Sequence, residues 1–171
     1  KLKRKVLVNN FKRIYPSLIV FDRPISKLYS QENQDYIIHN NFFKNKDNGV
    51  YCDVGGNHPL NINNTRYFEE KGWNGYVFEP LPKMKPLWEK HRTAKFFDVA
   101  ASDINGVTSF TIVSDANKFG DMLSFINNTR EVAYAGEQEE IEVKTRRLDE
   151  VFTEEKITHI DYMSIDVEGH E

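Results

Sequence analysis

Gly49-Val50-Tyr51-Cys52-Asp53-Val54-Gly55-Gly56 is a near-continuous apolar run that ends on one acidic residue and a pair of glycines. An apolar run of this kind marks a strand covered on both faces, as in a parallel sheet, and the glycine pair stops it. A helix is expected next, starting beyond Pro59, capped by Asn61 or Asn63 and stopped by Gly72 behind Lys71. Residues 75–79 predict a second strand. Pro82 then opens a helix in which Met84, Leu87, Trp88 and His91 recur at i, i+3, i+4 and i+7, a stripe that faces the core. A third strand is expected over 95–100, with β-like runs at 107–113, 122–126 and 141–146. In the last of these Ile141, Val143 and Thr145 alternate with Glu142, Lys144 and Arg146, so one face is wet. A short helix carrying Leu148, Val151 and Phe152 leads to a final strand over 160–167.

Strands alternating with helices give an α/β fold with a doubly wound, mostly parallel sheet. Right-handed crossovers place the second and third strands on one side of the first and the last strand on the other, so the expected order is 3-2-1-4. The switch of direction lies between the Asp53 strand and the Asp166 strand. Ligands of open parallel sheets sit beyond the carboxyl ends of the strands at that point.

The chain has 171 residues and a formal net charge of -3, which predicts one domain and offers no global positive field to collect phosphates. Composition therefore argues against nucleic acid as the main partner and for a small molecule. The single cysteine, Cys52, lies in the first apolar run and reads as a buried structural thiol. Residues 1–29 form a basic extension, with Lys1, Lys3, Arg4, Lys5, Lys12 and Arg13 and no acidic residue before Asp22. It lacks the apolar centre of a signal peptide, and no 18 consecutive apolar residues occur, so neither secretion nor a membrane span is expected and a cytoplasmic location is the default. The domain itself is expected over 30–171. It stops at Glu171 without a closing element, so we expect a C-terminally truncated piece of a longer protein.

At the tip of the first strand, Gly55 and Gly56 allow a sharp turn and a close ligand, with Asn57 following. The stretch lacks the third glycine of a dinucleotide fingerprint, and Asp53 beside the turn repels a pyrophosphate but suits an ammonium group. Backbone amides, Asn64 or Thr65 are placed to receive a carboxylate, so the pair matches the amino-acid end of a methionine moiety. Glu79, at the tip of the second strand, can accept both hydroxyls of an adenosine ribose. Asp98, near the end of the third, reads either as an acceptor for an adenine amino group or as a turn cap. The last strand ends in Asp166, Glu168 and His170, crowded around Gly169. That group fits acid and base work, with His170 the general base and Glu168 orienting it; a divalent metal held by the same three is the weaker reading, and no metal is assigned.

Taken together, Asp53-Val54-Gly55-Gly56-Asn57-His58-Pro59, Asn64-Thr65, Gly72-Trp73-x-Gly75 leading to Glu79-Pro80, and Ser164-Ile165-Asp166-Val167-Glu168-Gly169-His170-Glu171 resemble the FkbM family of methyltransferases. Ser30-Gln31-x-Asn33-x-Asp35 followed by Phe42-Phe43 resembles the opening segment of that family. The resemblance implies a Rossmann-like class I methyltransferase fold, S-adenosylmethionine as donor, and O-methylation of a sugar or secondary metabolite. Two alternatives stand beside it. One is a nicotinamide-dependent oxidoreductase on a related fold, against which the missing glycine counts; the other is a binding module that keeps the nucleoside pocket without turnover.

Overall fold

A computed structural model describes residues 29–114, 121–127, 137–168 and 170 of the chain. Its central strand is β1 (Val50–Val54), buried from Tyr51 onward, and this burial is why the sequence runs apolar there. The first helix, α1 (Gln34–Phe42), precedes it, and α2 (Arg66–Glu70) follows. Then come β2 (Asn74–Phe78), α3 (Lys85–His91) and β3 (Lys95–Phe97). After four strands of a second sheet, α4 (Leu148–Glu154) leads into the last strand, β8 (Tyr162–Ile165). All pairings in the first sheet are parallel, and its order is β3-β2-β1-β8. Registers Asp53↔Val77 and Asp53↔Ser164 bring the tips of β1, β2 and β8 to one end of the sheet.

The pleat divides the two faces of β1. Tyr51 packs with Phe68 of α2 and with Trp73, while Cys52 and Val54 pack with Phe78 and with Val151 of α4. Cys52 is a free thiol sealed in this core, and burial, helped by the Asp53 charge, pushes its pKa up to about 12. Among the described residues no helix is long and apolar enough to cross a membrane.

The second sheet is β4 (Ala100–Ala101), β5 (Gly106–Ser114), β6 (Phe125–Ile126) and β7 (Glu137–Arg146), in the order β4-β7-β5-β6. Single β-like runs were visible in the sequence; their gathering into a separate sheet was not. β5 and β7 pair antiparallel, and β7 alternates as expected, with Val143 and Thr145 buried and Glu142 and Lys144 exposed. Its inner face, with Phe110, Ile126 and Val143, shares one core with Leu81, Met84 and Trp88.

Several expected boundaries move. The third strand breaks at Asp98, its first half pairing in one sheet and its continuation, β4, in the other. Pro82 lies in a turn ahead of α3, which starts at Lys85 with Pro86 in its first turn. The last strand is shorter at both ends than 160–167. α2 starts only at Arg66 with Thr65, not Asn61 or Asn63, at its N-cap; Asn63 lies two residues ahead, its Oδ1 accepting the amides of Thr65 (3.1 Å) and Arg66 (2.8 Å).

Candidate functional site at the tips of three strands

Asp53 is almost fully buried where β1 ends. Its Oδ2 accepts the Thr65 hydroxyl at 2.7 Å and the Asn63 amide at 3.3 Å; among the described residues Oδ1 has no hydrogen-bond partner. Burial raises its pKa to about 6, against the pull of those hydrogen bonds and of Arg92. Behind it stands Arg92, a residue that sequence reasoning missed. Its Nε bonds Glu69 (2.9 Å), Nη1 bonds the Pro59 carbonyl (2.9 Å) and Asn63 (3.0 Å), and Nη2 bonds Tyr51 (3.0 Å) and Thr65 (3.2 Å). Every N–H of the guanidinium is engaged. Burial alone would lift the Glu69 carboxyl, but the Arg92 charge and bonds from Tyr51 and Thr93 outweigh it and hold the pKa below its usual value.

The turn after β1 is shaped by the protein's own packing. Gly55 sits at φ 80°, and a Cβ there would land on the Asp166 carbonyl; a Cβ on Gly56 would meet Val77 and lie 3.0 Å from the Trp88 ring. Side chains at either position would run into the fold itself, so the sharp turn expected there needs both glycines, and both border the cleft. The amides of Gly55 and Gly56 go to the Phe78 carbonyl, and that of Asn57 goes to Glu79 Oε2 at 2.7 Å. None of the three is left to receive a carboxylate. Thr65 is likewise withdrawn: fully buried, its hydroxyl is spent on Asp53. Asn64 does line the cleft, bonding Ser164 on β8 (3.1 Å) and Gln34 on α1 (2.8 Å).

Glu79 is buried at the tip of β2, with Oε1 on the Leu81 amide (2.8 Å) and Oε2 on that of Asn57. Burial raises its pKa to about 7, and the charges of Asp121 and Asp53 add to the rise while the two amides oppose it. Asp121, which binds Lys83 at 2.6 Å and Asn57 at 3.4 Å, enters from the connection between β5 and β6. That wall carried no motif in the sequence.

Two adjoining compartments open between these tips. One is lined by Phe78, Glu79, Leu81, Ala100, Phe110 and Asp121. The other, about 250 Å³, is lined by Gln31, Asp53, Asn63 and Asn64. Gly55, Asn57, Met122, Asp166 and Glu168 border both. The described residues lining the two compartments include five carboxylates, Asp53, Glu79, Asp121, Asp166 and Glu168, and no lysine, arginine or histidine.

The expected trio at the end of β8 is divided. Asp166 and Glu168 line the cleft, whereas His170 lines a different cavity with Ser102, Asp103 and Arg147, its Nε2 3.3 Å from the Ser102 hydroxyl. The chain turns at Glu168, which holds φ at 56°, and Gly169 and Glu171 lie outside the described residues. Asp98 also misses the cleft: it is exposed, 3.5 Å from Lys85. His58, not singled out from sequence, closes the loop after the turn, its Nδ1 accepting the amides of Leu60 and Asn61 at 3.1 Å each. Burial holds its pKa below the usual imidazole value.

Compared with known families, the chain matches the methyltransferase FkbM domain over residues 53–171, a stretch that runs from Asp53 through Glu79 to the tip of β8. No curated protein and no solved structure matches it.

Proposed function

Since this chain belongs to the FkbM methyltransferase family, we propose that it moves a methyl group from S-adenosylmethionine onto a hydroxyl of a sugar or other small molecule, on a Rossmann-like class I frame. The observation that carries this reading is the division of the cleft, with Glu79 in one compartment and Asp53 in the other. A donor with a ribose diol at its centre and an ammonium on its amino-acid end can set one of these acids against each. Glu79 is oriented by two backbone amides and keeps further lone pairs for hydroxyl donors. Asp53 presents Oδ1 to the ammonium while Thr65 and Asn63 hold Oδ2. The apolar walls at Leu81, Ala100 and Phe110 suit a purine. The carboxylates of Asp53, Glu79, Asp121, Asp166 and Glu168 around the cleft also count against the pyrophosphate of a nicotinamide cofactor.

When bound, the donor supplies a methyl group on a positively charged sulfur, open to in-line attack by the acceptor oxygen. Asp166, bordering both compartments, faces that positive charge. Glu168 is the group assigned to take the hydroxyl proton: it borders the same space, and a non-glycine residue held at positive φ is a strained arrangement typical of working sites. His170, on the Ser102 side, falls outside this assignment.

The test is calorimetric titration of the full-length protein with S-adenosylhomocysteine and with NAD, followed by mass spectrometry of labelled methyl transfer to a panel of sugars and hydroxylated metabolites. Binding of the homocysteine nucleoside, weakened about tenfold or more by Glu79→Ala, is expected. NAD binding in its place overturns the reading, and donor binding without product across the panel favours a non-catalytic module.

A further inference from the structure

The carboxylate of the donor's amino-acid end needs hydrogen-bond donors, and few of the described side chains lining the cleft have one to spare. The amides of Gly55, Gly56 and Asn57 are used within the fold, and Asn63 spends its Nδ2 on Asp53 (3.3 Å) and on the Gly56 carbonyl (3.2 Å). Thr65 is sealed, and the Asn57 amide group turns to Asp121. What remains among the described lining side chains is the second hydrogen on the Nδ2 of Asn57 and of Asn64, and the whole carboxamide of Gln31, which alone has both hydrogens to give and no partner among the described residues.

Gln31 belongs to the segment Ser30-Gln31-x-Asn33-x-Asp35, whose purpose the fold alone leaves unexplained. It is fixed on both sides. Asp35, fully buried, accepts the Ser30 hydroxyl at 2.6 Å and the Tyr29 amide at 3.3 Å. The Tyr29 carbonyl takes the Asn63 amide at 3.1 Å, and its ring lies 4.0 Å from the Arg66 guanidinium. On the other side Gln34 accepts the Glu32 amide at 2.8 Å and donates to Asn64 at 2.8 Å. The loop is thus bolted to the residues that hold Asp53 and Asn64, and Gln31 is the member of it that lines the compartment.

We infer that Gln31, with Asn64, receives the carboxylate of the donor's amino-acid end, so that the segment ahead of β1 completes the donor site. This rests on the methyltransferase reading above. A neutral donor suits the place: a lysine or arginine there would pair with Asp53 and take it from the ammonium, whereas a carboxamide answers a carboxylate without disturbing Asp53.

The test compares two nucleosides by calorimetry on the full-length protein. S-Adenosylhomocysteine carries the amino-acid end; 5′-methylthioadenosine keeps the adenosine and the sulfur but lacks it. Gln31→Ala is expected to weaken the first roughly tenfold and leave the second unchanged, since a hydrogen bond to a charged group is lost. Gln31→Glu, which sets a like charge against the carboxylate, should weaken the first further. Unchanged binding of S-adenosylhomocysteine in Gln31→Ala overturns the inference while the methyltransferase reading stands. Equal loss of both nucleosides also overturns it, because Gln31 then serves the loop and not the carboxylate. A wild-type protein that binds neither nucleoside overturns the methyltransferase reading and this inference together.

Discussion

Replacing Asp53 by asparagine should make the fold more stable at alkaline pH. The buried carboxyl has its pKa raised to about 6, so the native protein keeps a proton that the unfolded chain releases near the ordinary value of about 4. For an acid shifted in this direction, stability is greatest below the unfolded pKa and is lost as pH rises through the folded one. The full loss is about 3 kcal/mol, of which roughly half falls between pH 5 and pH 8. Asparagine fits the site, because both donors, Thr65 and Asn63, converge on Oδ2 and a carboxamide oxygen can stand there. Urea titrations followed by the fluorescence of Trp73 and Trp88, both in the core, give stability at each pH. Wild type should lose about 1 to 2 kcal/mol more than Asp53→Asn from pH 5 to pH 8. Parallel curves for the two proteins would refute the buried, proton-holding carboxyl.

Donor affinity should follow the same group in the opposite sense: only ionised Asp53 pairs with an ammonium, so S-adenosylhomocysteine should bind several-fold more tightly at pH 8 than at pH 5.5, and a flat calorimetric profile would remove Asp53 from the ammonium site. Gly55→Ala should destabilise the apo protein by about 2 to 4 kcal/mol, because its Cβ meets the Asp166 carbonyl at a φ that side chains resist; an unshifted urea midpoint would disprove that packing. Arg92→Lys replaces a five-donor fork by a point charge and should cost about 3 kcal/mol, measured the same way, with stability unchanged only if the Glu69, Asn63 and Thr65 bonds are dispensable.

The acids at the tips of β1 and β2 were more legible in the sequence than the surroundings of the residues past β3 and β8, and the reason is local. Asp53 and Glu79 stand at the ends of apolar runs, and in a parallel sheet a strand end is itself an address. His170 and Asp98 were misplaced because their positions depend on what the chain does after the strand: a positive φ at Glu168 in one case, a jump from one sheet to the other in the second. Arg92 was hidden for a different cause. A basic residue just past a helix looks like a solvated charge, and only the packed fold shows that Tyr51, Glu69, Asn63, Thr65 and Pro59 converge on it. Asp121 and Met122 reach the cleft through the pairing of β5 with β6 and β7, which no short-range pattern specifies.

The contact between Gly55 and the Asp166 carbonyl also sets the order in which the protein can acquire its site. β1 is made early and β8 late, with Val50 and Asp161 separated by 111 residues, so the turn held by β2 gains its Asp166 neighbour only when β8 lies beside β1. Parallel pairings across such a distance are slow to form, since the loop entropy comes due before any contact rewards it. A nascent chain emerging from the ribosome would thus hold β1, β2 and β3 for some time with the Asp53 edge uncovered. The same interlock means that any ligand gripping both strand tips should speed the final docking step or slow its reversal, making refolding in the presence of the ligand a kinetic reporter of the site.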